Sequence, residues 1–213
     1  MKAYIFDLDG TLLDSMDVWH KIDIDFLQKR GITVPPDYMD SIIAKTFSEA
    51  AAYTIERFGL SDTVEELMRE WNEMAAYAYG NTVELKPYAK EFLLSLHEQG
   101  VKLAAATSLS IELLTLVLKR HGIYDLFDVI CTTDETGKGK SHPDVFLLTA
   151  KKLGVQPSEC VVFEDILAAV KSAKHAGMTV YGVYDKASEA DWEQIKQTAD
   201  HTIIAYNTVP SAT

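Results

Sequence analysis

Cysteine is scarce in this chain of 213 residues, with only Cys131 and Cys160 present. Neither stands in a CxxC pair or at metal-ligand spacing from a histidine, which argues against a disulfide framework and against a thiolate zinc site. No apolar run approaches the ~18 residues that a membrane-crossing helix requires. The amino end, Met1-Lys-Ala-Tyr-Ile-Phe6, passes straight into acidic residues, without the apolar stretch and cleavage site of a secretory leader. Positive charge is also short: 20 Lys and Arg stand against 32 Asp and Glu, a formal net charge of −12. Such a surface repels nucleic acid and anionic lipid, so neither is expected as a partner. It leaves small anionic ligands open, because salt screens exposed charges beyond ~8 Å and a local group of cations can govern a cleft. A cytoplasmic protein is expected.

Hydrophobic residues make up 47% of the chain and aromatics 10%, enough for an ordered core. From residue 86 onward a helical pattern repeatedly ends at glycine and an apolar run follows. This occurs at Gly100 before Val101–Ala106, Gly122 before Val129-Ile130, Gly154 before Val161–Phe163, and Gly177 before Met178–Val183. Glycine closes helices in the left-handed conformation, so each junction reads as a helix feeding a strand. Short, nearly continuous apolar strands between amphipathic helices predict an α/β fold with a doubly wound parallel sheet.

The first strand, Ala3–Phe6, breaks that rhythm. The next strand starts only near Val101, far beyond the ~30 residues of a βαβ unit. Residues 15–85 carry helical periodicity throughout, as in Trp19, Ile22 and Phe26, and again in Val64, Leu67, Met68 and Trp71. An all-helical insert over 15–85, flanked by a core of residues 1–14 and 86–213, is the predicted organisation. Ser61 and Asp62 offer an N-cap for its last helix. Trp19, Trp71, Met68 and Met74 read as bundle core. The residues after Ile204 have no clear pattern, and Thr208–Thr213 read as a frayed terminus.

In open parallel sheets ligands sit at the carboxyl ends of strands. Those ends are polar here: Asp7-Leu8-Asp9-Gly10-Thr11 after the first strand, Thr107-Ser108 after the second, Lys138 and Lys140 in the loop after the third, Glu164-Asp165 after the fourth. In this order they resemble the haloacid dehalogenase superfamily, in its phosphatase and β-phosphoglucomutase-like branch. The pattern Pro143-Asp144-Val145-Phe146 selects Lys140 over Lys138, although Ser141 stands where that family usually has proline.

The resemblance implies a Rossmann-like core with an inserted helical cap, a small phosphorylated metabolite as substrate, and Mg²⁺ as cofactor. It makes Asp7 the nucleophile that becomes an aspartyl-phosphate and Asp9 the acid/base. Thr107, Ser108 and Lys140 would bind the phosphate. Asp7, the Asp9 backbone carbonyl, Asp165 and Glu164 would serve the metal. The need for cations is physical: a carboxylate ~3.5 Å from a phosphate charge is opposed by ~5 kcal/mol at an effective dielectric near 20.

Asp9 argues for phosphate esters, because the dehalogenase and phosphonatase branches lack that second acid. Where β-phosphoglucomutases carry a cap histidine and a cap arginine, this chain has Trp19 and Glu49. Lys45 and Glu49 are therefore the candidate cap contacts, and a negative Glu49 would repel a second phosphate. Hydrolysis is expected, by a monomer or weak dimer. A sugar phosphomutase and a non-catalytic phosphometabolite-binding protein are the alternatives.

Overall fold

The computed structural model describes residues 1–209. In chain order its strands are β1 (Ala3–Phe6), β2 (Leu13–Asp14), β3 (Glu84–Leu85), β4 (Lys102–Thr107), β5 (Val129–Thr132), β6 (Cys160–Glu164), β7 (Thr179–Val183) and β8 (His201–Ile203). Of these, β1, β4, β5, β6 and β7 lie where the apolar runs predict them. The helices are α1 (Met16–Gln28), α2 (Tyr38–Ile42), α3 (Phe47–Phe58), α4 (Val64–Asn81), α5 (Ala89–Glu98), α6 (Ile111–Arg120), α7 (Asp144–Leu153), α8 (Leu167–His175) and α9 (Trp192–Thr198).

Six strands form a sheet in the order β5-β4-β1-β6-β7-β8, every pairing parallel. Alternation along β1 splits the interior in two. Tyr4 and Phe6 join the apolar cluster that contains Leu93, Leu96 and Leu113 of α5 and α6. Ala3 and Ile5 join the one that contains Val145, Phe146, Val170 and Ile195 of α7, α8 and α9. Both sheet faces are thus covered, which is why the central strands carry no polar alternation.

On the α5 face the rings of Phe6, Phe163 and Tyr181 stack across three adjacent strands at 4.8 Å between centroids for each step. Tyr206 closes this stack against Phe92 at 5.4 Å and donates its hydroxyl to the Thr11 carbonyl at 3.2 Å. Sequence periodicity missed that closure, and it missed α9 and β8, because single aromatic residues in short elements have no period to detect. Of the stretch read as a frayed terminus, residues 210–213 lie outside the described residues.

Residues 16–81 contain only helices and loops, and the short antiparallel pair β2 and β3 joins them to the sheet. The two-residue strand Glu84–Leu85 falls inside the segment read as wholly helical. The N-cap of α4 is Thr63 rather than Ser61 or Asp62. Its hydroxyl accepts from Glu66 N–H while the Glu66 carboxylate accepts from Thr63 N–H, satisfying two otherwise orphan donors at once. Asp62 instead accepts from Arg30 at 2.9 Å. Among the described residues no helix is long and apolar enough to cross a membrane.

Candidate active site

Parallel pairing of Phe6 with both Ala105 and Phe163 brings the residues that follow these strands to one sheet edge. Asp7 continues the ladder, its N–H donating to the Phe163 carbonyl at 3.1 Å. Lys140 arrives from the loop after β5, its carbonyl held by the Ser172 hydroxyl at 2.6 Å. The Lys140 ammonium bridges the carboxylates of Asp7 and Glu164. All three side chains are buried, and a buried charge is tolerable only when paired. Burial works against the ammonium, but Asp7 and Glu164 outweigh it and hold the Lys140 pKa above the ordinary lysine value. The choice of Lys140 over Lys138 thus agrees with the geometry; Lys138 pairs with Asp144 on the surface at 2.8 Å.

Asp7, Glu164 and Asp165 each present an oxygen, all within 4.8 Å of one another. Three carboxylates against one ammonium leave surplus negative charge. Burial first, then repulsion from Glu164 and Asp7, holds the Asp165 carboxyl well above the usual range. This all-oxygen, acid-rich donor set fits a small hard divalent cation. Glu164 is the least free of the three, because its other oxygen accepts Asp165 N–H at 3.2 Å. Asp165 accepts from the Thr11 hydroxyl at 2.9 Å and lies directly over Gly10. That glycine has φ +78°, and a Cβ there would overlap the Asp165 carboxylate, so the motif glycine serves both the turn and the seat of a neighbouring acid.

Asp9 lines the cleft above Asp7. Three groups of the helical insert or its entry hold its carboxylate: the Ser15 hydroxyl at 2.6 Å, the Tyr79 hydroxyl at 2.5 Å and the Trp19 indole N–H at 3.2 Å. Trp19 N–H also reaches Tyr79 Oη at 2.7 Å. Burial raises the Asp9 pKa to about 6, opposed by the Ser15 and Tyr79 hydrogen bonds and assisted by Asp7. A carboxyl so placed has both protonation states within reach near neutral pH. Trp19 is therefore no mere core residue. Its role and that of Tyr79 were illegible in sequence because both sit on apolar-looking helix faces far from the acidic motif. Removing the hydroxyl in Tyr79→Phe frees Asp9 to rotate and leaves Trp19 a single acceptor. We expect turnover to fall ~10-fold with little change in KM, measured by steady-state kinetics.

Thr107, Ser108 and Lys45 also line the cleft. Thr107 Oγ1 accepts from Leu109 N–H at 3.1 Å, leaving its own proton free to donate. The Ser108 hydroxyl accepts from Thr133 at 3.2 Å. The cap of α6 is Ser110, which accepts from Leu113 N–H at 3.4 Å. Glu49 is not brought to the site. Its carboxylate accepts from Thr46 N–H at 2.9 Å in the capping box of α3, and it is absent from the cleft wall. An acid three residues after a threonine N-cap is a helix-start signature, and here that local demand decides its direction.

Comparison with known proteins shows the family. The family model for haloacid dehalogenase-like hydrolases matches residues 4–183. A phosphorylated carbohydrates phosphatase of Thermotoga maritima is 29% identical over 184 residues, covering 86% of this chain and 85% of that one. Validoxylamine A 7'-phosphate phosphatase of Streptomyces hygroscopicus is 29% identical over 186 residues, covering 85% of each. Among solved structures, a β-phosphoglucomutase from Clostridium difficile superposes with a TM-score of 0.79 at 24% identity, over 99% of this chain and 93% of that one. The chain belongs to the haloacid dehalogenase-like hydrolases, in their phosphatase branch.

Proposed function

We propose that this protein hydrolyses the phosphate monoester of a small metabolite through a phosphorylated Asp7, with Mg²⁺ as cofactor. The observation that carries the reading is the buried pairing of Asp7 with Lys140 at the floor of a cleft whose wall also presents Asp9. Asp7 and Asp165 would hold the metal, with the Asp9 backbone carbonyl and with Glu164 as a further ligand or as the partner that fixes Lys140. When bound, the metal supplies positive charge against the phosphate dianion.

Thr107, Ser108 and Lys140 bind and orient the phosphoryl oxygens. An Asp7 oxygen forms a bond to phosphorus as the bond to the substrate alcohol breaks, and Asp9 gives its proton to the departing oxygen. In the second step Asp9 takes a proton from a water whose oxygen bonds to phosphorus. The bond to Asp7 breaks and inorganic phosphate leaves. The helical insert acts as a cap that closes over bound substrate, limiting bulk water, and opens between turnovers, hinged at the β2 and β3 pair.

The sequence argument against a mutase, that Glu49 repels a second phosphate, does not survive the capping geometry. Hydrolysis is favoured instead because, among the described residues, the insert lines the cleft mostly with apolar side chains, with the Asp23 carboxylate, Thr46 and one cation, Lys45, whereas a second phosphate calls for several donors.

The test is hydrolysis of p-nitrophenyl phosphate with Mg²⁺ and with chelator. Sustained release of phosphate only with the metal supports the reading, and tight binding of phosphate esters without turnover would favour a binding protein. Asp9→Asn is expected to lose ~10²–10⁴-fold in turnover while Mg²⁺ affinity, measured calorimetrically, is kept. Unchanged kinetics would remove Asp9 from the acid/base role.

A further inference from the structure

The cleft continues past the catalytic acids into the helical insert. Most of its far wall is apolar, contributed by residues such as Met39, Ile42, Ile43 and Phe47. Two polar groups interrupt that wall without a partner among the described residues.

The first is Asp23, which lies four residues after Trp19 on α1. That spacing puts it on the same helix face as Trp19, about 6 Å along the axis from it. Its side chain is buried at 4% exposure and lines the cleft. Among the described residues it makes no hydrogen bond or ion pair, unlike Asp7 and Asp9, the other acids lining the cleft. Burial alone raises its pKa, to about 7, with no cation near enough to oppose it. The second group is the Trp71 indole N–H, which is occluded and unpartnered on a residue whose ring lines the same cavity.

The remaining charged groups of the cleft do not answer Asp23. Lys140 is engaged by Asp7 and Glu164. The Lys45 ammonium sits 5.3 Å over the Tyr53 ring. The nearby Tyr38 hydroxyl is engaged with the Thr54 hydroxyl at 2.7 Å. A buried acceptor left open in an apolar wall costs stability, and proteins keep such groups where a ligand completes them.

We infer that Asp23 is the specificity-determining residue of the cleft, receiving an N–H donor nitrogen, ammonium or heteroaromatic amine, carried on an apolar or aromatic leaving group. The rings of Trp19, Phe47 and Trp71 flank its body. Phe47 lies between the two indoles, at 6.0 Å from Trp19 and 5.7 Å from Trp71. Sugar phosphates are poor substrates for the same reason: several hydroxyl groups would enter a wall that offers few partners.

This inference rests on the proposed hydrolysis of phosphate esters, and its test separates the two. Values of kcat/KM are compared for benzyl phosphate, aminomethyl-benzyl phosphate, aminopyridylmethyl phosphate and glucose phosphate, with p-nitrophenyl phosphate as the measure of hydrolysis itself. The two nitrogen-bearing esters are expected to exceed benzyl phosphate and glucose phosphate by roughly 10- to 100-fold. In Asp23→Asn the advantage of the ammonium ester over benzyl phosphate collapses to within about twofold, while the aminopyridyl ester keeps part of its advantage through the amide oxygen. The readout is the ratio between esters, which a general loss of activity does not move. Hydrolysis of p-nitrophenyl phosphate with equal kcat/KM for the benzyl and aminomethyl-benzyl esters, with glucose phosphate preferred, or with a ratio unmoved by Asp23→Asn overturns the inference and leaves hydrolysis standing. If p-nitrophenyl phosphate is not hydrolysed, the hydrolytic reading falls. Recognition is then read from calorimetric binding of the same esters, where equal affinity overturns it.

Discussion

Asp7→Asn is expected to abolish phosphatase turnover by about 10⁴-fold or more, the scale of losing a nucleophile whose partners act as a unit. The substitution is nearly isosteric and leaves the Asp7 N–H bonded to Phe163, so the strand end is undisturbed. What is lost is the anionic oxygen. An amide presents a weakly nucleophilic oxygen, and it also removes one of the two carboxylates that flank Lys140. Lys140 keeps Glu164 and does not become a lone buried charge, so the variant should fold, with its far-ultraviolet circular dichroism unchanged. The same substitution should erase labelling by beryllium fluoride or by radiolabelled phosphoryl donor. A wild-type chain that hydrolyses esters yet never carries an adduct on Asp7, or an Asp7→Asn variant with full activity, would refute the covalent route.

The second large effect concerns stability. Asp23 has an ordinary pKa of 3.8 when exposed and about 7 in the folded protein, with burial as the cause. Between these values the folded state binds the extra proton, so stability falls as pH rises through that window. Below about pH 4 the carboxyl is neutral in both states and the cost vanishes. Above about pH 7 the full cost applies, up to ~4 kcal/mol at 1.36 kcal/mol per tenfold change in proton affinity. Asp23→Asn should therefore stabilise the protein at pH 8 by ~2–4 kcal/mol, the lower figure allowing for a buried amide that also lacks partners. For a chain of this size that is an increase of ~5–10 °C in Tm. The gain should shrink toward zero near pH 4. Equal gains at both pH values, or a loss at pH 8, would contradict the burial argument. An acid whose neutralisation strengthens the fold is the expected mark of a group kept for a ligand.

How much was legible in sequence differs between the two parts of the molecule. Four strands of the central sheet, β4 to β7, announce themselves through an apolar run after a glycine. Parallel winding then delivers whatever follows those runs to one edge, so Asp7, Thr107, Lys140, Glu164 and Asp165 could be assembled on paper. Lys140 was the narrowest case, decided by register against Lys138, and the bridge to Asp7 and Glu164 accounts for it. The insert was different. Its helices were visible, but Glu49, read as a substrate contact, is consumed by the start of α3. Trp19, read as packing, presents its indole N–H to the Asp9 carboxylate.

A strand-end motif is local: the backbone that carries it also sets its direction, so the position of the acidic turn and its neighbours at one sheet edge followed from the chain alone, together with the family. Which helix faces meet, and which way each side chain then points, depends on packing between segments tens of residues apart. Only the tertiary structure decided that Tyr79 and Trp19 hold Asp9, that Tyr206 closes the aromatic stack beneath β1, and that Asp23 stands open in an apolar wall, because helical periodicity marks a buried face without saying what lies opposite it.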